Sequence, residues 1–181
     1  MLTRLTLLAV LLLANAPRAQ SAPSTSRPKP QKPLTVLDYF YLLPSFGIGA
    51  TSTRKEKRES LRPRYRPIID LQHDFLEVQP DSSPREQFAV FRARGQADLL
   101  AVSMPDSQTD YNFFAVYRLQ NGKLQDVTRQ VLPLPARINE FLYELPRIGT
   151  TIRVSRFDFT KQSRHPAFTL KWRQGHFIKT P

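Results

Sequence analysis

The feature that most restricts this chain is a repeat with a period of 26 or 27 residues. Phe88-Ala89-Val90-Phe91-Arg92 returns as Phe114-Ala115-Val116-Tyr117-Arg118. It returns more loosely as Phe141-Leu142-Tyr143-Glu144-Leu145 and Phe168-Thr169-Leu170-Lys171-Trp172. Each block meets a glycine seven or eight residues after its leading Phe, at Gly95, Gly122, Gly149 and Gly175. A second apolar run follows each glycine, at residues 99–102, 124–127, 152–154 and 177–178. Strand, glycine turn and strand together read as a β-hairpin. Asn121-Gly122 is the clearest case, because a type I′ turn holds both central residues at positive φ.

The repeat has two possible origins, duplication of one hairpin or the recurrence of ordinary strands joined by short links. Both lead to the same expectation: a mainly β (α+β) fold, an antiparallel meander of about eight strands built from four hairpins. Residues 68–78 add a leading strand with an irregularity near His73, where the alternation slips by one residue. A propeller does not fit, since four hairpins supply only about two blades of roughly 40–50 residues each. What remains is one sheet curled against a helix, or a small up-and-down barrel.

The helix is signalled just before the sheet. Thr35 and Asp38 have the spacing of a capping box, and Leu34 and Tyr39 that of a hydrophobic staple. Val36, Leu37, Phe40 and Leu43 recur at helical spacing, and Pro44 stops the element. This short helix is expected to pack on the sheet. Upstream, residues 5–14 are apolar except for Thr6, with Arg4 as a positive n-region. The run is too short to cross a bilayer, which takes about 20 apolar residues, and fits a secretory signal peptide. Cleavage is expected after Ala14-Asn15-Ala16 or near residues 19–22. Residues 1–22 are thus read as signal peptide, 23–33 as a Pro-rich linker and 34–181 as a single globular β-rich domain. A secreted or periplasmic protein follows, with no transmembrane segment once the signal is removed.

Composition narrows the chemistry. The 181 residues hold no Cys and three His, which removes disulfides, thiolate nucleophiles and Cys-type zinc sites. No Gly-x-Ser-x-Gly elbow or His-Glu-x-x-His motif occurs, and Gly47-Ile48-Gly49 lacks the rest of a phosphate cradle. Asp70, His73 and Asp74 make a poor metal set if they lie on one strand, because residue 73 points away from 70 and 74. Glu77, Asp81 and Glu86 read as surface charge, His165-Pro166 and His176 as turn residues, and Trp172 as core. No cofactor is implied, and no catalytic or metal residue is assigned.

Charge is unevenly spread around the net +12. Residues 27–66 carry net +7, 67–111 net −5 and 112–181 net +8. In the third and fourth hairpins Ile152 and Val154 alternate with Arg153, and Phe168, Leu170 and Trp172 alternate with Lys171 and Arg173. Period-two alternation places Arg153, Lys171 and Arg173 on one exposed face. That face is the candidate binding site, with the basic loop 54–66 assisting; the plainer reading of that loop is solvated charge. The alternative is that these cations guard a sheet edge against aggregation. The resulting expectation is an exported, non-enzymatic envelope or secreted binding protein. Its partner is an anionic envelope component or a protein, and no nucleic acid is expected. Two other functions stay open: a small exported hydrolase with a site assembled from distant residues, and a carrier of an apolar ligand inside a barrel.

Overall fold

All four glycine-centred blocks fold back on themselves as hairpins. In the computed structural model, which describes residues 32–43, 53–79, 85–105, 112–133, 138–158 and 160–181, they supply eight of ten strands. β1 is Ile68–Asp70, β2 Phe75–Val78, β3 Glu86–Phe91, β4 Leu99–Met104, β5 Phe113–Gln120 and β6 Lys123–Asp126. β7 is Leu142–Glu144, β8 Thr151–Asp158, β9 Ser163–Arg173 and β10 His176–Thr180. The β5–β6 turn holds Asn121 at φ 51° and Gly122 at φ 75°, as a type I′ turn requires. The segment read as signal peptide, most of the linker, Pro44 and Gly47-Ile48-Gly49 lie outside the described residues.

The strands form two antiparallel sheets where a single one was expected. Strands β1 to β6 make a six-stranded meander in sequence order, and β10-β9-β8-β7 make a second, four-stranded one. Among the described residues neither closes into a barrel, and the last strand does not pair with the first. The division has a physical reason. Central strands β3 and β4 carry apolar residues on both faces, and β4 is buried along its whole length. One face packs against the four-stranded sheet: Phe91, Leu99, Phe114 and Val116 share a core with Tyr143, Ile152, Leu170 and Trp172. The other face, with Leu76, Phe88, Leu100 and Val102, is covered by a helix. Each large apolar side chain buried this way contributes roughly 1.5–3 kcal/mol. The result is three layers, helix, sheet and sheet.

That helix is α1, Val36–Leu42. It begins at the expected capping box, where the Thr35 hydroxyl accepts from the Asp38 amide and the Asp38 carboxylate accepts from the Thr35 amide at 2.8 Å. Val36, Tyr39 and Phe40 are its buried face. The stretch expected to be a basic loop instead begins with a second helix, α2, Arg54–Ser60, followed by a 3-10 turn at Pro63–Tyr65. α2 has its own capping box, Thr53 with Glu56. Its Lys57 is buried; the ammonium donates to the Leu43 carbonyl at the end of α1 and lies 5.7 Å from the Phe40 ring centre. Burial lowers the Lys57 pKa.

The expected leading strand 68–78 is in fact the β1–β2 hairpin. The slip near His73 is the turn itself, with Asp74 at φ 53° and the Asp70 carboxylate accepting from the His73 amide at 3.2 Å.

Arg92 joins the layers. Its guanidinium donates to Asp74 at 2.6 and 2.8 Å, to Asp98, and to the Leu34 carbonyl at 2.6 Å. Its own carbonyl accepts from the Trp172 indole at 2.9 Å. Trp172 is buried, as expected, beside Phe91 and Phe177. Buried Gln87 makes a second link between the sheets, accepting from the Leu145 amide at 3.0 Å and donating to Glu77 at 2.8 Å.

Candidate functional site

The outward face of the four-stranded sheet carries the candidate residues. Along β8, Ile152 and Val154 are buried and Arg153 is exposed. Along β9, Phe168, Leu170 and Trp172 are buried, while Lys171 and Arg173 are exposed. Arg153 lies opposite Thr169 on one side and Glu144 on the other. Lys171 lies between Thr151 and Ile178, and Arg173 faces His176. Lys171 is therefore the diagonal neighbour of Arg153, a relation that puts residues about 7–8 Å apart. Arg173 follows two positions along the same strand. The three cations form one stripe.

Both strands are interior to the sheet, since the edges are β10 and β7. Edge protection falls instead to Lys179 on β10, which shares the core-facing side with Phe177 and caps the Phe168 ring at 4.3 Å.

Several arginines elsewhere in the fold are matched with carboxylates. Arg147 pairs with Asp70 at 2.9 Å, Arg156 with Glu140 at 2.8 Å, and Arg64 with Glu59 at 2.6 Å. Asp70, Asp74, Glu77 and Asp98, which belong to the acidic middle of the chain, are engaged by Arg147, Arg92 and Arg85. Among the described residues no carboxylate comes within 4.0 Å of Arg153, Lys171 or Arg173. The basic stretch 54–66 does not join them. α2 packs on α1, on the face of the six-stranded sheet away from the four-stranded one.

A groove meets the Arg153 end of the stripe at a β-bulge. The β8–β9 register shifts between Val154 and Ser155, so that Ser155 pairs with Pro166 and Ala167 is the extra residue. The depression has a volume of about 470 Å³, with Arg153, Arg164 and Glu144 among its polar residues. Pro166, Ala167, Phe168 and Pro181 give it an apolar wall. Glu144 is held by Arg164 at 3.1 Å and by Arg85 at 3.2 Å, and makes no ion pair with Arg153, its cross-strand neighbour. His165 and Pro166 thus lie on β9 beside the bulge and His176 begins β10, where the sequence pattern placed all three in turns.

Two further ionisable sites differ from the sequence reading. Asp70 and His73 are joined, Nδ1 to Oδ1, at 3.0 Å in the β1–β2 turn. Hydrogen bonds from Arg147 and His73 hold the Asp70 carboxyl down at about 2. Its oxygens are thereby committed to a structural tie. Glu86 is not plain surface charge: burial raises its pKa to about 7. Among the described residues no group of three or more His, Asp or Glu is arranged to hold a metal ion. No helix there is long and apolar enough to cross a membrane. No family model, curated protein or solved structure matches this chain.

Proposed function

We propose that this chain is an exported, non-enzymatic binding protein that adsorbs to an anionic surface through the outer face of its four-stranded sheet. The reading is carried by Arg153, Lys171 and Arg173: three neighbouring cations on interior strands, exposed and without a carboxylate partner among the described residues. Like charges placed this close cost stability unless an external anion offsets them. Export rests on the apolar run 5–14, and beyond the cytoplasm the available polyanions are lipid headgroups and anionic glycans.

The test is adsorption to vesicles containing anionic lipid. Replacing all three residues with Ser lowers the affinity at low salt by at least about tenfold. Raising the salt weakens wild-type adsorption, because the Debye length shrinks to about 10 Å at 0.1 M and 3 Å at 1 M. Undiminished adsorption by the triple variant at low salt would discard the reading.

A further inference from the structure

We infer that the groove at the β8–β9 bulge binds a single-chain amphiphile with one anionic oxygen headgroup, the headgroup on Arg153 and the chain along Pro166, Ala167 and Pro181. The inference deepens the reading above and rests on it, since it names the molecule that the same face takes. A guanidinium presents a planar fork of donors that matches carboxylate and phosphate oxygens. Arg153 is the one groove cation with no carboxylate of its own among the described residues, because Glu144 is shared by Arg85 and Arg164. Ser155 adds a hydroxyl beside it.

The wall beyond Arg153 is apolar for a structural reason. β10 ends its pairing at Thr180 opposite Thr169, while β9 begins six residues earlier, at Ser163. Among the described residues that half of β9 pairs on the β8 side only. Pro166 has no N–H and Ala167 is bulged, so the open side offers no regular ladder to an added strand. It offers apolar surface next to a cation. At about 470 Å³ the groove falls in the size range of small-molecule sites, roughly 300–1,000 Å³.

Octyl phosphate below its micellar concentration is the probe, with inorganic phosphate and octyl glucoside as controls, each titrated by calorimetry. Octyl phosphate is expected to bind at least about tenfold more tightly than inorganic phosphate, because several methylenes leave water. Octyl glucoside, lacking the anion, is expected to be weaker still. Arg153→Gln and Ala167→Trp each lower octyl phosphate affinity at least tenfold, whereas Lys123→Ser, at an exposed cation on β6, leaves it within threefold. In the unsubstituted protein the amide resonances of Ser155, Ala167 and Thr169 shift on titration. Equal affinity for octyl and inorganic phosphate, indifference to both groove variants, or unmoved amides overturns the inference. If vesicle adsorption still falls in the triple Ser variant, only the groove assignment fails. If adsorption is unchanged while octyl phosphate binds as described, only the surface reading fails.

Discussion

Replacing Arg92 with Leu removes the guanidinium that ties the start of α1 to the six-stranded sheet, and keeps the backbone carbonyl that accepts from Trp172. The guanidinium makes a two-pronged bond to Asp74 at 2.6 and 2.8 Å, and further bonds to Asp98 and the Leu34 carbonyl. Breaking a fully buried ion pair costs about 3–5 kcal/mol, and an exposed pair contributes at most about 1. The Arg92 side chain is 34% exposed and the two carboxylates 19% and 20%, which places this cluster between the limits. A loss of about 2–3 kcal/mol is expected, or roughly 5–10 °C in Tm for a chain of this size. Urea unfolding followed by the fluorescence of Trp172, the single tryptophan, measures it where the indole meets the Arg92 carbonyl. Arg92→Lys retains the charge but not the fork and recovers less than half of the loss. In a double-mutant cycle with Asp74→Asn, the coupling should be at least about 1 kcal/mol. A loss under about 0.5 kcal/mol, or strictly additive effects, would refute the assignment of Arg92 as the tie between layers.

Burial raises the Glu86 pKa from 4.5 to about 7, so folding favours the protonated carboxyl. Its contribution is fully present below about pH 4.5 and is lost as pH rises through 7, an amount on the order of 3 kcal/mol. Denaturant titrations at pH 5 and pH 8 should show Glu86→Gln stabilising the protein at pH 8 relative to wild type and flattening the pH slope; identical slopes would contradict this. The Tyr143 hydroxyl is buried with no hydrogen-bond partner among the described residues, while its ring stacks on Phe114 at 4.1 Å. Tyr143→Phe keeps the stack and removes the orphan polar group, so stability should rise by roughly 0.5–2 kcal/mol; a fall in Tm would show that the hydroxyl has a partner.

The hairpins were legible because their signals are local. Asn121-Gly122 dictates its turn, and the alternation of Ile152, Arg153 and Val154 dictates which side chains face out. The Thr35–Asp38 box and the buried Trp172 were legible in the same way. The split into two sheets was not, because it depends on which strands pair after residue 126. One sign was present in the runs 88–91 and 99–102, which are apolar without alternation, as strands covered on both faces are. α2 also announced itself through Thr53 and Glu56, but its seven residues, Arg54–Ser60, lack an apolar stripe and read as solvated charge. The groove had no sequence signature. It arises from an extra residue at Ala167 and a contact between Arg164 and Glu144, positions joined only by the fold. Glu86 was misjudged for the same reason: nothing beside it in the chain reports its desolvation.

Thiol labelling tests the arrangement of inward and outward residues most directly, because the cysteine-free chain supplies a clean background. Single cysteines at Arg153, Lys171 and Arg173 should react with a charged maleimide at nearly the rate of a free thiol. Those at Ile152, Val154 and Leu170 should stay protected until denaturant unfolds the protein. Comparable rates at both sets of positions under native conditions would mean that β8 and β9 do not present these three cations on one outer face.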